Sequence, residues 1–136
     1  MRTPAQLVER LRAEGRKVTR QRECIFRVLQ GNEAHPNAEA IHAAALREIP
    51  MMSLKTVYQT LNDLARMGEI RQLDLGTGSS RFDPNVGLHH HLVCTNCKKV
   101  RDLHGLSLDA SQLEGAQGFA VRAVRIQAEG LCPDCQ

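Results

Sequence analysis

The sequence predicts an α+β fold in two parts, and three observations predict it. Residues 1–83 hold four stretches with helical apolar spacing, followed by two short alternating runs around Gly76-Thr77-Gly78. The composition then shifts: His89-His90-His91-Leu92-Val93-Cys94-Thr95-Asn96-Cys97 crowds three imidazoles and two thiols into nine residues. The chain closes on Cys132-Pro133-Asp134-Cys135, which repeats the same cysteine spacing. Pro84, Asn85 and Gly87 between the parts read as a hinge at 84–88, leaving 89–136 as the second domain.

In chain order, residues 4–14 read as a helix with Leu7, Val8 and Leu11 on one face, ended by Gly15. Thr19 is placed to cap a second helix over 20–30, whose stripe is Ile25, Phe26, Val28 and Leu29 while Arg20, Arg22 and Arg27 stay polar. Cys24 in this helix has no cysteine near it in sequence and reads as a small buried hydrophobe. Gly31-Asn32 ends that helix, His35-Pro36 marks an extended entry, and Asn37 caps a third helix to about residue 48, in which His42 reads as a surface residue.

Pro50 breaks the chain before Ser53, which caps a fourth helix over 54–66 closed by Gly68. Val57, Leu61 and Leu64 turn to a core, and Lys55, Thr56, Tyr58, Gln59 and Asn62 to the other faces. These side chains suit base edges and phosphates in a major groove. Alone they describe any amphipathic helix with a solvated face. The context decides: 70–75 alternates like a strand, Gly76-Thr77-Gly78 turns, and Ser80-Arg81-Phe82 returns, so the helix is followed by a ribbon. Helices followed by a two-stranded ribbon make a winged helix-turn-helix, with 54–66 in the recognition position. Lys17, Arg20 and Arg22 would then meet phosphates or the minor groove, with salt-dependent affinity.

Two CxxC knuckles present four thiols, Cys94, Cys97, Cys132 and Cys135, to one tetrahedral ion, a set suited to structural zinc. A disulfide framework requires an oxidising compartment, yet the chain starts without a charged n-region and apolar h-region, so the cytoplasm is expected. A redox CxxC follows a strand and opens a helix, whereas Lys98-Lys99 leads into the strand-like 100–103. Strands are expected near 91–94, 99–103 and 119–128, with a helix over about 107–117. Alternation along His89-x-His91 puts those rings on one face and His90 on the other.

The 136 residues, 42% hydrophobic and 24% charged, suit one domain or two small ones, and pieces below about 70 residues usually lean on a metal or a partner subunit. A net charge of +3 permits a nucleic-acid partner without demanding one. No apolar run approaches a membrane span, and the lack of Trp with a single Tyr disfavours stacking on single strands.

The order Val18-Thr19-Arg20-Gln21-Arg22, His35-Pro36, Ser53-x-x-Thr56-Val57-Tyr58-x-x-Leu61, Arg81-Phe82-Asp83, His89-x-His91-x-x-Cys94-x-x-Cys97 and Cys132-x-x-Cys135 resembles the ferric uptake regulator (Fur) family over essentially the whole chain. The resemblance implies a metal-dependent repressor of transcription with an N-terminal winged helix and a C-terminal dimerisation domain, binding a palindromic DNA operator as a homodimer. It also implies a regulatory metal on His35, Asp83, His89, His91 and Asp102. Three nitrogens and two carboxylates make a harder site than four thiolates, suited to Fe(II) or Mn(II). Asp102 is similar to the peroxide-sensing PerR branch, where aspartate stands in place of the usual glutamate; that implies iron-dependent oxidation of His35 or His89. A further metal site of many members would fall on Leu88, His90, Asp109 and Val124, of which Leu88 and Val124 cannot ligate. His90 then reads as a bystander, and His104 and Asp109 as surface residues.

Other readings compete. An iron- or manganese-responsive repressor without peroxide sensing keeps the same ligands. A zinc hydrolase would use His89, His91 and Asp102 around an open metal position, but leaves the N-terminal half unexplained. A constitutive DNA-binding or zinc-buffering protein would need no ligand set drawn from both domains.

Overall fold

The computed structural model describes residues 1–136, which divide into two compact units, Met1–Val86 and Gly87–Gln136. The first unit comprises helices α1 (Pro4–Ala13), α2 (Arg20–Leu29), α3 (Ala38–Leu46) and α4 (Leu54–Arg66), then strands β1 (Arg71–Leu73) and β2 (Arg81–Asp83). Each helix begins where a hydroxyl or amide side chain can take an unpaired N–H of the first turn. Thr3 accepts from the Gln6 amide in a capping box, Thr19 from Arg22, Asn37 from Ala40 and Ser53 from Thr56. The strands pair antiparallel with Gln72 opposite Phe82, making the ribbon.

One apolar cluster holds these elements together. It contains Leu7 and Leu11 of α1, Ile25, Phe26 and Leu29 of α2, Ile41 of α3, Val57, Leu61 and Leu64 of α4, and Phe82 of β2. Cys24 is buried within it, as its sequence context predicts. Glu69 is buried at the end of α4 because Arg2 and Arg10 meet its carboxylate, the latter at 2.6 Å, tying α1 to the segment leaving α4. His42 is only half-buried, yet its Nε2 lies 2.7 Å from the Met52 carbonyl and so braces the turn into α4; it is more than the surface residue expected.

The second unit is a three-stranded sheet ordered β4-β3-β5, from β3 (His90–Cys94), β4 (Val100–Leu103) and β5 (Gln127–Gly130). β3 pairs antiparallel with β4 and parallel with β5. Two sequence expectations are corrected here. The helix over 107–117 is a single 3-10 turn, Ala110–Gln112, capped by Asp109. Gly105, Gly115 and Gly118 take left-handed φ around it, and Leu106 and Leu108 stay exposed, so no apolar face anchors a helix. The strand over 119–128 shortens to 127–130: His91 is opposite Gln127 and β3 begins at His90, so in this parallel register the residues before 126 lie beyond the start of β3. His90 is also corrected from a bystander. It is buried, its Nδ1 accepts from the Ile126 amide at 3.1 Å, and its Nε2 lies 3.2 Å from the Leu106 carbonyl, so it ties β3 to both flanking segments. No helix of the chain is long and apolar enough to cross a membrane.

Candidate metal centres and nucleic-acid interface

Parallel pairing of β3 with β5 explains how cysteines far apart in sequence meet. Cys94 ends β3 opposite Gly130 at the end of β5, so both knuckles leave the same end of the sheet. The first knuckle turns through Lys98, whose φ of 62° lies in the left-handed region and whose amide donates to the Cys94 carbonyl. In the second, the Cys135 amide donates to the Cys132 carbonyl at 2.9 Å. The four sulfurs of Cys94, Cys97, Cys132 and Cys135 lie within 4.8 Å of one another, with Cys97 and Cys132 Sγ 3.6 Å apart. Zinc–sulfur bonds of about 2.3 Å in a tetrahedron require sulfur–sulfur edges near 3.8 Å, so the spacing fits one such ion. The Cys132 amide, 3.4 Å from Cys94 Sγ, and then the Cys97 amide draw the Cys94 thiol down to about 6, which favours thiolate. Asn96 acts to lower Cys135, but Cys132, burial and the other thiols push it up to about 11.

The imidazole and carboxylate donors form one set in each unit. In the first, Phe82 of β2 donates to the Pro36 carbonyl at 2.9 Å, which draws the strand end to the loop before α3 and brings Asp83 Oδ2 to 3.5 Å from His35 Nε2. Both residues are buried. His35 takes φ of 49°, a left-handed conformation that costs energy for a residue with a Cβ.

In the second unit, the β3–β4 register sets His91 opposite Asp102, and His89 lies one turn of the strand pleat away on the same face. Asp102 Oδ1 is 3.3 Å from His89 Nε2 and 3.8 Å from His91 Nε2, and the two rings meet edge-on at 4.6 Å. His35 and His89 share a further arrangement. Each holds its Nδ1 2.9 Å from the carbonyl two residues earlier, Glu33 or Gly87. A carbonyl only accepts, so Nδ1 carries a proton and Nε2 is the ring nitrogen turned to the carboxylate. That is the second contact by which metal-binding histidines are oriented.

The helix that the sequence assigns to groove reading presents Lys55, Tyr58, Gln59 and Asn62 to solvent and buries Val57, Leu61 and Leu64. Lys17 and Arg20 are exposed as well. Thr56 is partly committed elsewhere, its hydroxyl 2.9 Å from that of Ser53 in the helix cap. Tyr58 donates to Glu39 on α3 at 3.1 Å, a hydrogen bond that also raises the phenol above its ordinary value. Arg22 is half-buried and bound to Asp63. Sequence reasoning missed Glu39, Asp63 and Arg66; the i,i+3 pair of Asp63 and Arg66 on α4 was the available signal.

A helical unit with a two-stranded ribbon and an exposed polar α4, joined to a sheet unit bearing thiol and imidazole–carboxylate donor sets, defines a metal-binding winged-helix protein. The ferric uptake regulator family pattern matches residues 13–129. The peroxide operon regulator of Bacillus subtilis is 36% identical over 130 residues, covering 94% of this chain and 90% of that protein. The peroxide-responsive repressor PerR of Staphylococcus saprophyticus is 36% identical over 128 residues, covering 93% and 86%. Among solved structures, a zinc-bound manganese uptake regulator superposes with a TM-score of 0.77 at 26% identity, over 96% of this chain and 99% of that one. The chain belongs to the ferric uptake regulator family. It is a transcriptional repressor of that family, related to the peroxide-responsive members, and not an enzyme; repressors of this family bind DNA and are dimeric.

Proposed function

We propose that this chain is a cytoplasmic, metal-dependent repressor that binds a palindromic operator and releases it on exposure to peroxide. Residues 1–83 serve as the DNA-binding domain, 84–88 as a hinge and 89–136 as the dimerisation and zinc-binding domain. The observation that carries the reading is the pair of donor sets, with the Nδ1 atoms of His35 and His89 both held by carbonyls and their Nε2 atoms turned to carboxylates.

Cys94, Cys97, Cys132 and Cys135 hold structural zinc. His35 and Asp83 from one unit, with His89, His91 and Asp102 from the other, hold one regulatory Fe(II) or Mn(II) ion. Two donors are too few for a firm site and three leave half of a six-coordinate sphere open; together the five nitrogen and oxygen donors suit these metals. The Irving–Williams order still favours zinc at such donors, so coordination geometry and metal supply must select. By serving one ion, the two sets favour the arrangement in which all five meet, and shifting a population from 1:99 to 99:1 takes about 5.5 kcal/mol of preference. When Fe(II) is bound it supplies one-electron chemistry with peroxide, for which Mn(II) is a poor substitute. The oxygen would go to His35 or His89, with Asp102 holding the orientation of His89 and His91.

In the second unit, Leu92, Phe119 and Leu131 are exposed, apolar surface that suits a second copy of the chain. On DNA, Lys17, Arg20, Arg22 and Lys55 meet phosphates, and Thr56, Tyr58 and Gln59 meet base edges. The test is operator binding of the zinc-loaded chain with and without Mn(II). Parent protein should bind only with Mn(II), and His91→Ala should lose that dependence together with most of the affinity while keeping its zinc. Metal-independent binding by the parent contradicts the proposal.

A further inference from the structure

We infer that Asp63 is a positioning residue for DNA binding: its carboxylate fixes the guanidinium groups of Arg16, Arg22 and Arg66 so that Arg22 and Arg66 are presented to a DNA phosphate beside α4. This rests on the reading of α4 as the DNA-facing helix. Asp63 sits on α4 with its side chain 16% exposed. Its Oδ2 receives Arg16 Nη2 at 2.6 Å and Arg22 Nη2 at 2.5 Å, while Oδ1 receives Arg66. Arg16 precedes α2, Arg22 belongs to its first turn and Arg66 ends α4, so one carboxylate gathers cations from three places in the fold.

Arg22, Asp63 and Arg66 line a cleft of about 550 Å³ between α2 and α4, together with Thr19, Gln21 and Gln59. Burial works to raise the Asp63 carboxyl, but the Arg66 hydrogen bond and the charges of Arg16 and Arg22 outweigh it and hold the group below its ordinary value. The carboxylate is therefore charged whenever the protein meets DNA.

A negative charge on a DNA-facing helix repels phosphate, and as an interhelical tie alone it would weaken binding. The arithmetic of donors points the other way. A guanidinium carries five N–H groups in a rigid fork: Arg22 gives Nη2 to Asp63 and Nη1 to the Lys17 carbonyl, each nitrogen keeping a second N–H for an incoming phosphate, while Arg66 gives Nη2 to Asp63 and is otherwise exposed. Three cations around one anion keep the cleft positive. An arginine already held in place loses less conformational freedom when it binds, so Asp63 converts flexible charge into oriented charge.

Positioning and simple charge predict opposite signs for one substitution. Asp63→Asn adds a positive charge; charge alone would tighten duplex binding, whereas loss of positioning weakens it. The experiment measures binding of the metal-loaded full chain to a labelled random-sequence duplex across a salt series, with Asp63→Glu and Lys55→Ala in parallel. Asp63→Asn should bind at least about threefold more weakly at low salt, with a log–log salt slope shallower by about one, the signature of one lost phosphate contact. Asp63→Glu, which can still gather the arginines, should stay near the parent. Unchanged or tighter binding by Asp63→Asn with the parent's slope, while Lys55→Ala weakens binding, overturns the Asp63 inference alone. No loss at either position overturns the α4 reading and the inference with it. Should Asp63→Asn fail to fold, the parent decides: nitrogen-15 guanidinium signals of Arg22 and Arg66 should be resolved and restricted before DNA is added and shift when it is. Motionally averaged signals that ignore DNA overturn the inference.

Discussion

In the first unit fifteen buried residues, from Leu7 to Phe82, form one apolar cluster, while in the second the buried apolar residues are Val93, Cys94 and Val100 beside three buried histidines. The same chain thus solves the problem of a small domain in two ways. Four capped helices with complementary stripes can exclude water by themselves. Three strands of four or five residues cannot, and a unit of that size is marginal without a metal or a partner. The polar groups follow the division. Asp63 and Glu69 in the first unit are neutralised by arginines of the same unit, whereas the second gathers its thiols in one donor set and two imidazoles with Asp102 in another.

Removing one thiol should break this comparison most forcefully. Cys94→Ser should abolish stoichiometric zinc and unfold the second unit, since structural zinc supplies on the order of 10 kcal/mol to a small site. Amide exchange should show residues 90–130 unprotected while α1 to α4 keep their protection. The converse substitution, Leu61→Ala, should cost about 2–5 kcal/mol in the first unit and leave the zinc content of the second intact. If Cys94→Ser instead exposed both units equally, the second would not depend on zinc in the way its thin core implies.

The division also accounts for what was legible in the sequence. Helices α1 to α4 carry their own instructions: a capping residue at Thr19, Asn37 or Ser53, an apolar stripe, and a Gly or Pro beyond. The four cysteines announced themselves by spacing, and His89 and His91 by alternation. The helix over 107–117 and the long strand over 119–128 were misread because Leu108 and Phe119, counted as apolar positions, stay exposed and anchor neither element; Phe119 is 80% exposed. His90 was misread because its partners are the Ile126 amide and the Leu106 carbonyl, backbone groups that no side-chain pattern reveals. The Asp63 cluster escaped because Arg16 and Arg22 reach it only once α2 packs on α4.

A smaller effect sharpens the contrast through pH. Burial raises the Glu69 carboxyl, but hydrogen bonds from Arg2 and Arg10 outweigh it and hold the group below its ordinary value, as the arginines do for Asp63. A carboxylate whose folded-state pKa is depressed contributes stability that is complete above its unfolded-state value. That contribution is lost as pH falls through the lower, folded-state value. The first unit should therefore hold its stability down to about pH 5 and lose it progressively below about pH 4. Glu69→Gln should flatten that dependence, as read by chemical denaturation across pH. A first unit whose acid sensitivity is unchanged by Glu69→Gln would remove Glu69 from the account.

The central claim is that His35, Asp83, His89, His91 and Asp102 make DNA binding answer to peroxide, and one measurement tests it directly. Zinc-loaded protein is given Fe(II) or Mn(II), treated with low hydrogen peroxide, and followed by operator binding and peptide mass on the same samples. The Fe(II) form should lose the operator and gain one oxygen on the peptide carrying His35 or His89, with reductant failing to restore binding and Cys24→Ser behaving as the parent. The Mn(II) form should keep both its operator and its mass. An Fe(II) form that holds the operator through peroxide with both histidines unmodified would contradict the claim and leave an iron- or manganese-responsive repressor in its place.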